Sequence, residues 1–127
     1  MKIPKKHNDW VKAQFDSQRT KPDYRNVMIH TGLIENVIED EAGHKESFSV
    51  ATKILRFSKR YEGLDKIEKL RKLRNKIVHR IELDKLDEKE INKTRDEMRV
   101  LLKEIYNDNH LIKDYFQLKY KIDTTKF

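Results

Sequence analysis

Leu70-Arg71-Lys72-Leu73-Arg74-Asn75-Lys76-Ile77-Val78-His79-Arg80 is the stretch whose reading decides the fold. Apolar residues recur in and around it at three- and four-residue steps, which predicts a helix with Ile67, Leu70, Leu73, Ile77 and Ile81 as its buried stripe. Arg71, Asn75 and His79 then stack one turn apart on another face, and Arg74 falls at the edge of the apolar stripe. Five residues of straight helix turn the chain by about 140°. Arg74 and His79 of one unbroken helix therefore diverge, so either the helix breaks between them or a second copy of the chain supplies the convergence.

A phosphodiester suits these residue types best. An arginine fork neutralises phosphate oxygens, and an imidazole titrates near neutral pH as acid or base. RNA carries its own nucleophile, the ribose 2′-hydroxyl, so cleavage needs a base, an acid and charge stabilisation but no metal. On spacing alone, a solvated basic helix with one surface histidine is the commoner arrangement.

The wording Arg74-Asn75-Lys76-Ile77-Val78-His79 resembles the signature of the HEPN superfamily: an Arg, a polar residue next to it, and a His after four to six intervening residues. The leucine-rich approach is similar to the mannitol-repressor-like and abortive-infection branches, and the likeness spans residues 25–107. It implies an all-α, up-and-down antiparallel bundle of four to five helices. It also implies a composite ribonuclease site in a homodimer, with His79 as general acid or base, Arg74 as phosphate clamp and Asn75 as the polar second position. In the nucleotidyltransferase-associated subgroup the His is followed by one residue and a Tyr. Here Arg80 and Ile81 follow, so regulation through that tyrosine is not expected.

Composition is compatible with this picture. The 127 residues suit one domain, residues 1–127, and 40% charged against 36% hydrophobic residues favours helices with solvated outer faces. So thin a core often completes its burial by self-association, which independently suggests a homodimer. The formal charge is +7, and between Lys53 and Arg80 eleven Lys or Arg face three Asp or Glu. The rest of the chain nets −1. Such concentration is the footprint of a polyanion, with RNA first and an acidic protein second. Arg71, Lys72, Lys76 and Arg80 are assigned to RNA backbone binding, although for any one of them a solvated face is the simpler role. The chain has no cysteine, which removes disulfides, thiolate catalysis and Cys-based zinc sites. It shows no apolar targeting or membrane-spanning run, so a cytoplasmic protein without membrane contact is expected.

Along the chain, residues 1–22 read as a short helix docking through Trp10, Val11, Ala13 and Phe15, then turn chemistry at Thr20-Lys21-Pro22-Asp23. Residues 24–107 form the bundle core. Its first helix, 24–41, carries Val27, Met28, Leu33, Ile34, Val37 and Ile38 inward and Glu35, Glu39 and Asp40 outward, and Gly43 stops it. A helix over 47–61 follows, and after the central stretch Asp87 and Glu90 suggest a capping box opening the longest helix, with Ile91, Thr94, Met98, Leu101, Leu102 and Ile105 inward. Residues 108–127 are a last helix or an extended arm.

Two further arrangements compete with the Arg74/His79 pair. Arg25-Asn26-Val27-Met28-Ile29-His30 repeats the Arg-Asn-x-x-x-His spacing but lacks the basic approach. The five histidines are scattered, and Glu39, Asp40, Glu41, His44 and Glu46 read as an acidic helix end, so no metal and no cofactor is expected. A structural role would have Arg74 reaching a surface carboxylate such as Asp65 or Glu68.

The leading function is a metal-independent endoribonuclease of a toxin-antitoxin or phage-defence system, with an antitoxin or sensor protein as a further partner. The alternative is a non-catalytic HEPN-like module that binds nucleic acid or protein. A small DNA-binding regulator is weaker, because no helix-turn-helix spacing appears.

Overall fold

In the computed structural model, which describes residues 5–20, 23–58, 63–85 and 87–127, the chain forms a helical bundle without strands among those residues. The elements are α1 (Lys5–Thr20), α2 (Tyr24–Ala42), α3 (Phe48–Ser58), α4 (Leu64–Glu82), α5 (Glu88–Asp108), α6 (His110–Tyr120) and a closing 3-10 turn (Thr124–Lys126). Among the described residues there are six helices, more than the four to five expected. The extra one comes from the C-terminal segment, where the Asn109 side chain accepts from the Ile112 N–H at 3.1 Å and starts α6. Lys21, Pro22 and Tyr61, which figure in the expected turn and in the end of the third helix, lie outside the described residues.

Local chemistry sets the boundaries. Asp23 accepts from the Asn26 N–H at 2.7 Å and opens α2. Gly43 closes it at φ +69°, a left-handed conformation that costs glycine nothing and lets two backbone N–H groups reach the carbonyls of Glu39 and Asp40. Asp87 accepts from the Glu90 N–H at 2.7 Å, but the Glu90 carboxylate turns to Arg80 at 2.8 Å instead of back to the cap. The capping box is thus half used for the helix and half for tying α4 to α5.

The hub of the bundle is α2, which packs against each of the other five helices, whereas the central stretch of sequence, on α4, rests on α2 and α5. The core joins Val27, Ile34 and Ile38 of α2 to Ile67 and Leu70 of α4, Met98 and Leu102 of α5, and Phe116 of α6, all fully or almost fully buried. Each such side chain contributes about 1.5–3 kcal/mol relative to exposure. On α4 the predicted stripe holds at Ile67, Leu70 and Ile77, is half-buried at Leu73, and fails at Ile81, which is 51% exposed. The helix runs past the end of the core there, and among the described residues no side chain buries Ile81.

The N-terminal helix docks through Val11 and Phe15, while Trp10 stays 40% exposed and stacks on His7. Phe15 enters an aromatic cluster with His30, Tyr106, Phe116 and Phe127. That cluster absorbs the second Arg-Asn-x-x-x-His sequence. Asn26 is buried and donates to the Gln14 carbonyl at 2.9 Å, pinning α1 to α2, and His30 is fully buried while Arg25 is exposed. These residues hold the fold together and do not converge on a ligand.

Candidate functional site

The helix α4 is unbroken from Leu64 to Glu82. Of the two ways in which Arg74 and His79 were to converge, a break between them is therefore removed. Arg74 does not lie at the edge of the stripe: it follows Leu70 by four residues and precedes Ile77 by three, inside the buried face. A guanidinium in that position needs an acceptor.

Glu35 supplies it. Arg74 Nη1 donates to Glu35 Oε2 at 2.6 Å, and Nη2 donates to Asn75 Oδ1 at 3.1 Å. Glu35 was expected on the outer face of α2, yet it is buried, because it sits four residues after Thr31 and three before Ile38 on the face that meets α4. The supposed alternative acceptors, Asp65 and Glu68, are taken by Arg56 at 2.6 and 3.1 Å. Burial pushes the Glu35 carboxyl above its usual range, with the Arg74 hydrogen bond and the Arg74 and Arg71 charges opposing that rise. Its second oxygen, Oε1, is enclosed and has no hydrogen-bond partner among the described residues.

Asn75, the polar second position, therefore accepts from Arg74. His79 is exposed, and its imidazole has no hydrogen bond or ion pair among the described residues. It stands between Val78, 37% exposed, and the last turn with Ile81, and Leu83 just beyond is 49% exposed. Lys72 and Lys76 are likewise exposed and unpaired among the described residues. The Arg71 guanidinium carbon lies over the Phe48 ring, 4.8 Å from its centroid. Arg80 is separate from these: its guanidinium is engaged by Glu90. The structure thus brings Arg74 to Asn75, places Arg71, Lys72 and Asn75 around one cleft, and leaves His79 a turn beyond.

No family model, curated protein or solved structure matches the chain. The likeness to the HEPN signature accordingly stands on the residues of α4 themselves.

The missed member of the site is Glu35. Its signal was present in the sequence, since a carboxylate within the Thr31, Ile34 and Ile38 face of a core helix implies a cationic partner. The acidic segment after it disperses: Asp40 accepts from Tyr115 Oη at 3.2 Å, and His44 faces Glu46 at 3.3 Å. No group of three or more His, Asp or Glu side chains spaced to hold a metal ion occurs among the described residues, and none of their helices is long and apolar enough to cross a membrane.

Proposed function

We propose that this chain is a metal-independent endoribonuclease that acts as a homodimer, with one composite site built from the α4 helices of two copies. The observation that carries the reading is the division of labour on unbroken α4. Arg74 is fixed from behind by Glu35, while His79 is presented to solvent beside apolar side chains that stay exposed among the described residues.

In this scheme Val78, Ile81 and Leu83 dock against a second copy, and two His79 side chains approach one phosphodiester. One imidazole takes the proton of the ribose 2′-hydroxyl as its oxygen attacks phosphorus. The other donates a proton to the departing 5′-oxygen, leaving a 2′,3′-cyclic phosphate. The remaining N–H groups of Arg74, pre-oriented by Glu35 and Asn75, offset the charge that builds on the phosphoryl oxygens. Lys72 and Lys76 hold the flanking backbone. The setting in toxin-antitoxin or phage defence, with an antitoxin or sensor as partner, follows from the resemblance alone.

The test is RNA degradation by the purified protein in EDTA. Activity that disappears in both His79→Ala and Arg74→Lys supports the proposal, and activity equal to wild type in both variants rules it out. One observation favours a second reading: Arg74 is already satisfied by Glu35, as expected of a tether in a non-catalytic module that binds nucleic acid or protein. Intact RNA with the wild-type dimer, together with a lowered melting point in Arg74→Lys, would select that reading.

A further inference from the structure

Between α3 and α4 lies a cleft of about 360 Å³ whose lining includes Phe48, Lys53, Arg56, Arg71, Lys72 and Asn75. This is at the small end of ligand-sized clefts, roughly 300–1,000 Å³. Its charge balance is uneven. Glu68 also lines it, but it and Asp65 share Arg56, a group that nets one negative charge against the three further cations of the wall. Lys53, Arg71 and Lys72 have no ion-pair partner among the described residues. Arg71 is held in place by Phe48, and its Nε–H is enclosed without an acceptor among the described residues. Three cations free of ion pairs around a concave wall outweigh the carboxylates beside them, and the net positive charge attracts an oxyanion.

One exposed ring stands a turn of helix away from the cleft lining. Phe57 follows Lys53 by one turn of α3 and is 92% exposed, the most exposed of the large apolar side chains among the described residues. An exposed ring beside a cationic cleft is the pairing by which proteins hold unpaired nucleotides: phosphate to the cations, base to the ring. We infer that the α3–α4 cleft is a nucleotide subsite for single-stranded RNA, in which Lys53, Arg71 and Lys72 take a backbone phosphate and Phe57 stacks its base. The inference rests on the reading of RNA as the substrate. Asn75, shared between the cleft and Arg74, makes the subsite continuous with the cleavage centre.

The experiment is fluorescence anisotropy with a labelled 12-nucleotide 2′-O-methyl oligouridylate, which cannot supply the attacking hydroxyl, so binding is read without cleavage. Phe57→Ala is expected to weaken binding about 5- to 150-fold. Lys53→Gln with Lys72→Gln should flatten the dependence of log affinity on log salt by about 1.4. Phe57→Trp in a Trp10→Phe background should retain affinity and show tryptophan quenching on binding. Duplex RNA of equal length should compete poorly, because its bases are not free to stack.

Equal affinity and equal salt slope in the variants would overturn the inference while leaving RNA as substrate intact, provided the wild type binds. Absence of wild-type binding at low salt would remove both. Phe57→Ala that turns a dimer into a monomer without changing RNA affinity would also overturn it, assigning Val50, Ile54 and Phe57 to a contact between copies.

Discussion

Glu35 of α2 and Arg74 of α4, thirty-nine residues apart in sequence, meet at 2.6 Å where the two helices pack. The contact converts a motif arginine from a free cation into one of fixed direction. It also leaves a carboxylate that is buried, raised in pKa and only half satisfied. A group of that kind is sensitive to the loss of its one partner.

Arg74→Ala should accordingly lower unfolding stability by about 1–3 kcal/mol, a value below that of a fully buried pair because Arg74 keeps some solvent contact. Glu35→Gln, which still accepts from the guanidinium, should cost less. The pH dependence has a defined sign. Because the folded pKa of Glu35 lies above its unfolded value, the native state holds the proton more tightly, and its contribution to stability falls as pH rises from about the unfolded pKa through the folded one. Urea titrations of wild type and Glu35→Gln between pH 4 and 7 check this, since the variant lacks that component.

His79→Ala should behave in the opposite way. The side chain is exposed and unpaired among the described residues, so stability should change by less than about 0.5 kcal/mol. RNA cleavage, if the composite site is right, should be lost. Thermal melts beside a gel of RNA products separate the two effects.

His30 predicts acid sensitivity. Its Nδ1 lies 2.6 Å from the Tyr106 hydroxyl, which is buried and has no other acceptor among the described residues, so that hydroxyl donates and Nε2 carries the imidazole hydrogen. Burial lowers the pKa to about 4, with the Gln14 carbonyl opposing the fall, even though Nε2 makes no hydrogen bond of good geometry. With the folded pKa below the unfolded one, the unfolded chain takes the proton first. Stability should drop as pH falls from about 6.5 to about 4, by about 3 kcal/mol in all, and then level off. His30→Phe should remove that slope, whatever its own cost in packing against Tyr106, and denaturation at several pH values reads it directly.

The uncovered end of α4 predicts assembly. Ile81→Glu places a charge among Val78, Ile81 and Leu83, and light scattering should show a dimer becoming a monomer, with little change in helical content by circular dichroism. A variant that remains dimeric would move the interface elsewhere.

The cations of α4 should differ in their effect on RNA. Lys76 is unpaired and Arg80 is bound to Glu90. Lys76→Gln should reduce the salt slope of single-stranded RNA binding by about 0.7, whereas Arg80→Gln should leave the slope nearly unchanged and lower the melting point slightly.

Much of the fold is legible because its signals are local. Asp23 and Gly43 bracket α2, Asp87 opens α5, and the three- and four-residue recurrence of Ile67, Leu70 and Ile77 orients α4. Each depends on neighbours within one or two turns. The exposed position of His79, well rotated from Arg74, also follows from helical geometry alone. Glu35 was less legible because charge usually marks the outer face, and its inward position makes sense only with Arg74 opposite. Ile81 misled for the complementary reason: periodicity states which way a side chain points, not how far the covering helices extend.

By itself, the amino-acid sequence determined the helical class, the main helix boundaries and the concentration of cations along residues 53–80, since capping, periodicity and charge act over short stretches of chain. Only tertiary packing decided which arginine is anchored and which cations stay unpaired, and that the second Arg-Asn-x-x-x-His run is absorbed into an aromatic core. Those outcomes depend on partners contributed by distant helices, and a short-range pattern carries no record of what will stand opposite it.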